Sequence, residues 1–245
     1  MMLSVRVKSE TDWVVLNVSC AEVDAAKAMR ADRDTQYGNR YAVSPTDARW
    51  VGDLGEIALN RWLGEQGLEN LQWITQDSAG RPDFVTGQGV RIGAKTIKRS
   101  VSPLLHYGAQ VTACHADEPV DWFFFMSYIV KEQKLWLLGA MESSRFARES
   151  RRFGAGDQVQ PAYRIREGHE IKDVLLNQLM PVKHWLTCIG AEHAAPETKF
   201  TEPRLLPAQK TVIAARCPRI RFRLPAGSAQ AGTYSGPGYG LRPGC

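Results

Sequence analysis

Residues 80–98 read GRPDFVTGQGVRIGAKTIK, and the folding of this stretch organises the whole chain. Phe84 and Val85 have strand character, Thr86-Gly87-Gln88-Gly89 is rich in turn formers, and Val90 to Lys98 is again strand-like. Two such flanks joined by a glycine-bearing turn predict an antiparallel hairpin. Side chains alternate between the faces of a strand. Val90, Ile92, Ala94 and Thr96 therefore take one side and face a core, while Arg91, Gly93, Lys95 and Ile97 take the other. The hairpin thus sets a carboxylate, Asp83, beside one strand and an ammonium, Lys95, on the next.

Upstream, Ser44-Pro45 looks like a helix start, with serine as cap and proline at the first helical position. The helix should run to about Glu65, with Trp50, Leu54, Ile57, Ala58 and Trp62 forming an apolar stripe at spacings of three and four. Glu56 and Asn60 fall off that stripe. Gly52 and Gly55 sit inside the helix, where each costs about 1 kcal/mol relative to alanine. Close packing on a strand compensates for that cost, or close approach of a ligand beside Glu56 does. Still earlier, Val5 to Val18 reads as one or two strands, and Ala21 to Arg33 as a helix capped by Ser19.

Downstream, residues 101–114 read as a loop or short strand ending at His106-Tyr107. Asp121 to Val130 (DWFFFMSYIV) and Lys134 to Leu138 (KLWLL) follow as paired strands whose aromatic density belongs in the middle of a sheet. Glu142 to Arg152 has a helical composition, and Ile171 to Leu179 leads to a closing segment at Trp185. The order of elements predicts an α/β fold around one mixed sheet.

The chain has 245 residues, 44% of them hydrophobic and 23% charged, which suits one main domain. No stretch has the pattern of a signal peptide or the apolar length of a membrane span. Five cysteines, at 20, 114, 188, 217 and 245, are odd in number and carry no C-x-x-C pair. A disulfide framework is not expected, and the reading is a cytoplasmic protein with free thiols. From Thr187 onward, eight basic residues face three acidic ones, so the whole net charge of +5 resides there, in sequence rich in Pro, Gly, Ala and Ser. Residues 1–186 are read as the folded domain and 187–245 as a basic, largely disordered tail. Within it Arg219, Arg221 and Arg223 alternate with apolar residues and would share one face of a strand, suited to a phosphate track or to a solvent-facing edge.

A helix with Glu56, a strand start with Asp83 and a strand with Lys95 are the parts that phosphodiester hydrolysis with a hard divalent cation requires. Here the chain resembles the PD-(D/E)XK nuclease superfamily. GDLGEIALNRWL (52–63) is similar to its G-x-x-G-E-x-A helix, Pro82-Asp83 to its Pro-Asp, and RIGAKTIK (91–98) to its acid-x-lysine strand. The resemblance spans about Trp50 to Trp185. It implies a restriction-endonuclease-like mixed β-sheet flanked by helices. It also implies Mg²⁺ or Mn²⁺ held by Glu56 and Asp83, Lys95 as the catalytic lysine, and DNA rather than RNA as partner. Lys98 and Arg99, just beyond, would bind the nucleic-acid backbone together with the arginines at 219, 221 and 223. One position departs from the pattern: Gly93 stands where the family has Asp or Glu. The alternative is a nuclease fold that has lost its chemistry and only binds nucleic acid or protein.

Other constellations are weaker. His184, Cys188, His193 and Cys217 lack the compact double-pair spacing of a structural zinc site. Cys114-His115 would diverge on a strand, and Arg145, Arg148, Arg151 and Arg152 would share a helical side as a phosphate-binding or simply solvated face.

Overall fold

A computed structural model describes residues 5–37, 48–68, 70–75, 81–160 and 163–190. Among the described residues the α-helices are α1 Cys20–Tyr37, α2 Trp50–Glu65, α3 Ser143–Glu149 and α4 Val182–Cys188. The strands are β1 Val14–Asn17, β2 Gln72–Trp73, β3 Phe84–Val85, β4 Arg91–Arg99, β5 Gly108–Thr112, β6 Trp122–Ile129, β7 Lys134–Glu142, β8 Arg151–Phe153, β9 Gln158–Gln160, β10 Tyr163–Arg164 and β11 Ile171–Leu175. Among the described residues no helix is long and apolar enough to cross a membrane. Cys20, Cys114 and Cys188 are free thiols. The proposed start at Ser44-Pro45 and the arginines at 219, 221 and 223 lie outside the described residues, as does the basic segment from 191 on.

The 80–98 stretch folds as the expected hairpin. Phe84 pairs with Ile92 and Val85 with Arg91, antiparallel. Thr86 N–H donates to Val90 O at 2.9 Å across a turn in which Gly89 takes φ +82°, a conformation that a side chain would resist. Ser19 caps α1 through reciprocal bonds, its own N–H to Glu22 Oε2 (2.8 Å) and Glu22 N–H to Ser19 Oγ (3.2 Å).

The main sheet has six strands in the order β1-β7-β6-β4-β3-β2, with β4 and β6 parallel and the other neighbours antiparallel. β6 is central because both of its faces are apolar. Phe124, Met126 and Tyr128 enter a core with α2 and α4, while Phe123 and Phe125 enter a second core on the opposite face with Phe146, Val174 and Leu179. A strand covered on both sides reads as a continuous hydrophobic run rather than an alternating one.

The expectation of a single mixed sheet is corrected. A second sheet, β5-β11-β8, and a two-stranded β9-β10 ribbon also form. Residues 108–112 begin a strand where a segment was expected to end at Tyr107, because Gly108 to Thr112 find partners in Leu175 to Ile171. The helix expected over 142–152 stops at Glu149. Arg151 and Arg152 extend into β8 and pair with Asp173 and Glu170, so the four arginines do not share one helical face.

Helix α2 is buried on more than its stripe: Val51, Asp53, Gly55, Glu56 and Leu59 are as enclosed as Leu54 and Ala58. Close packing accounts for Gly55. A Cβ there would stand 1.8 Å from Thr96 Oγ1 and 3.1 Å from Met126 Cε, whereas one at Gly52 would meet nothing within 4 Å. Gly55→Ala is expected to lower unfolding free energy by about 1–3 kcal/mol, despite alanine's better helix propensity. Thr96→Ala in the same chain, which removes the colliding hydroxyl, should recover part of the loss in a urea titration.

Candidate active site

Hairpin register sets the geometry. Asp83 precedes β3, with its N–H donating to Ile92 O and its own carbonyl accepting from Ile74 N–H, both at 2.9 Å. That backbone placement brings Asp83 Oδ2 to the Ala94 N–H at 2.6 Å, one residue from Lys95. Asp83 Oδ1 accepts no hydrogen bond from the described residues. Burial pushes the Asp83 carboxyl up to about 7, and the negative charges of Glu56 and Glu118 push the same way against the pull of Lys95 and the Ala94 N–H.

Lys95 lies on the face of β4 that carries Gly93, as alternation requires, beside Phe123 and Phe125 in register. This face is covered by the second core, so Lys95 does not simply point away from the interior. Its Nζ donates to Glu118 Oε2 at 2.8 Å and sits 5.7 Å from the centroid of the Phe123 ring. Glu118 Oε1 meets His115 Nδ1 at 2.5 Å. Burial alone would raise the Glu118 carboxyl. The His115 bond and the Lys95 charge outweigh it and hold Glu118 below the usual range.

Glu118 and His115 were not legible as site residues from the sequence. Cys114-His115 is not on a strand: residues Ala113–His115 form a 3-10 turn, and a turn brings positions three apart together. The H-x-x-E spacing before Pro119 was the available signal.

Glu56 is already bonded at both oxygens. Arg33 donates to Oε1 (3.1 Å) and Oε2 (3.0 Å), and Trp73 Nε1 donates to Oε2 (3.1 Å). Arg33 also bonds Asp53 and reaches Thr75 O, while Arg30 grips Asp53 at 2.7 and 2.8 Å. Asp53 is fully buried, and burial raises its carboxyl against the pull of both arginines. The off-stripe position of Glu56 therefore marks an ion network, with Arg30 and Arg33 spaced three apart on one side of α1.

Among the described residues, no three His, Cys, Asp or Glu side chains converge closely enough to hold a metal between them. That result bears on how a cation would fit. Mg²⁺ commonly takes only one or two carboxylates, keeping water and substrate phosphate oxygens in its other positions. Asp83, with a raised carboxyl and an Oδ1 that accepts no bond from the described residues, fits such a hard cation, and Glu56, clamped by Arg33, fits it less well.

At the far end of β4, Lys98 is exposed. Arg99 turns inward, donating to Ser127 Oγ (3.0 Å) and Gly108 O (2.7 Å) and lying over the Tyr107 ring. Its guanidinium ties β5 to the main sheet. His184 and Cys188 are both exposed on α4, and the other two members of the zinc quartet lie outside the described residues.

Neither a scan against protein-family models nor a search of curated proteins finds a match to this sequence.

Proposed function

We propose that the protein is a metal-dependent nuclease of the restriction-endonuclease-like kind, hydrolysing phosphodiester bonds in DNA rather than RNA. The observation that carries this reading is Asp83. A half-buried carboxyl pushed up to about 7 chiefly by desolvation, with the negative charges of Glu56 and Glu118 adding to the rise and Lys95 opposing it, is a site where a divalent cation relieves the cost of ionisation. A bound Mg²⁺ or Mn²⁺ would supply Lewis-acid charge and a more acidic water. The chain's own contribution is positional: the Ala94 N–H fixes Asp83, Glu118 holds the Lys95 ammonium near the β3–β4 edge, and His115 holds Glu118. Phe123 and Val120 pack beside Gly93, and the Phe123 ring lies beneath the Lys95 ammonium. An ammonium so placed stabilises charge growing on a phosphoryl oxygen or orients the attacking water.

The test incubates purified full chain with linear, circular, single-stranded and branched DNA, with and without Mg²⁺ or Mn²⁺. Cleavage that depends on metal is expected, and Lys95→Ala should slow it by about 10²–10³-fold. Equal rates in wild type and Lys95→Ala would remove Lys95 from the mechanism.

A second reading keeps the fold and drops the chemistry. It is favoured by Gly93, by the Arg33 clamp on Glu56 and by the Lys95–Glu118 pair, which together leave Asp83 as the one unclamped acid of the set. It expects nucleic-acid or protein binding that is indifferent to chelator. Gly93→Glu discriminates between the two, since a Cβ at 93 would meet Phe123 Cδ1 at 3.3 Å and Val120 Cγ1 at 3.4 Å, close enough that both must give slightly. Activity appearing only in Gly93→Glu would establish a decayed site, and metal-dependent activity in wild type would reject this reading.

A further inference from the structure

Next to β7, the segment before β1 and the start of α4 line a groove of about 460 Å³. Its walls carry Arg6, Lys8, Lys183 and His184, together with the hydroxyls of Ser9 and Thr11. The two walls are fixed to each other. Val7 N–H donates to Leu179 O at 2.9 Å, Val7 and Trp13 are buried, and Met180 bridges to Ala140 on β7. The groove is thus a preformed feature of the fold.

Its charges are largely uncommitted. Lys8 and Lys183 are exposed and form no ion pair with the described residues, and Arg6 reaches Glu149 only at 3.9 Å, an acid that Arg145 already holds at 2.8 Å. The one acid in the lining, Asp12, is turned to the backbone, accepting from Lys8 N–H (2.7 Å) and Ser9 N–H (3.2 Å). Ser9 Oγ and Thr11 Oγ1 lie 2.6 Å apart. Lysine, arginine and small hydroxyls in one cleft are the donor set that contacts phosphate oxygens and sugars without reading bases. Three strand spacings, roughly 14 Å, separate β7 from β3 beside Asp83.

We infer that this groove binds the phosphodiester backbone of a single nucleic-acid strand, as a second contact remote from Asp83. The ligand class rests on the nuclease reading above, but the site stands on its own geometry. Full-length wild type and Lys8→Gln/Lys183→Gln are compared by fluorescence anisotropy with a labelled single-stranded 20-mer in EDTA, across 50–200 mM salt. Losing two phosphate contacts should flatten the slope of log K against log salt by about 1.4 and weaken binding about tenfold or more near 100 mM. An unchanged slope and affinity would overturn the inference. So would an equal loss in the control Lys134→Gln, whose lysine pairs with Glu132 elsewhere, or equal binding of polyglutamate through the same two lysines. Groove-dependent binding by a protein that cleaves nothing would defeat the nuclease reading alone. Cleavage by wild type with no groove effect would defeat the groove alone.

Discussion

Asp83→Asn is expected to abolish metal-dependent cleavage while making the protein more stable at pH 8. The two effects share one cause. Folding raises the Asp83 carboxyl from 3.8 to about 7, so the native state binds this proton more tightly than the unfolded chain does. The stability tied to it is fully present below about pH 4 and is lost as pH climbs through about 7. The shift corresponds to a loss on the order of 4 kcal/mol at pH 8. Asparagine keeps an oxygen for the Ala94 N–H and carries no charge for Glu56 and Glu118 to repel. Its melting temperature at pH 8 should exceed wild type by roughly 8–16 °C and should vary less between pH 4 and 8. Asp173, raised to about 6 mainly by burial, gives a smaller slope of the same sign that Asp83→Asn leaves in place. Millimolar Mg²⁺ should raise the wild-type melting temperature at pH 8 and leave Asp83→Asn where it is, because a ligand that binds only the native state stabilises it by mass action. Undiminished cleavage by Asp83→Asn would exclude the proposed mechanism, and a lower melting temperature at pH 8 would exclude the electrostatic account.

The parts of this architecture that were legible in the sequence are those set by local rules. Turn chemistry at Thr86 to Gly89 specified the hairpin, Ser19 specified the start of α1, and the aromatic run WFFFMSYI specified a strand in the middle of a sheet. What escaped were the consequences of contact between distant segments. Pairing of β5 with β11 created a second sheet that no local pattern announces. Arg151 and Arg152 left the helical face because Asp173 and Glu170 lie across from them in β11 and before it. Glu118 joined Lys95 because a short turn, not a strand, precedes it. The apolar stripe accounts for one side of α2, whereas the charges on its other side are set by Arg30 and Arg33 of α1, which pack against Asp53 and Glu56.

Those charges set the second large effect. Arg33 has 8% of its side chain exposed and holds Asp53 and Glu56 together, so Arg33→Met should cost about 3–5 kcal/mol, read as a lower urea midpoint. Most of that is the penalty for leaving carboxylates buried without their partner. Arg30 still serves Asp53, so the orphan is chiefly Glu56. Adding Glu56→Gln to Arg33→Met should therefore recover much of the loss, since the neutral amide still offers an oxygen to Trp73 Nε1. The same background tells a structural carboxylate from a metal ligand. If Glu56 belonged to the cation site, Mg²⁺ would take over from the missing guanidinium and restore stability to Arg33→Met. The Trp73 bond keeps Glu56 Oε2 engaged even without Arg33, so the expected result is that Mg²⁺ leaves the Arg33→Met midpoint unchanged at pH 6, where Asp83 is largely protonated. Restoration by Mg²⁺ under those conditions would return Glu56 to the ligand set, and Asp83 would then share the cation rather than anchor it.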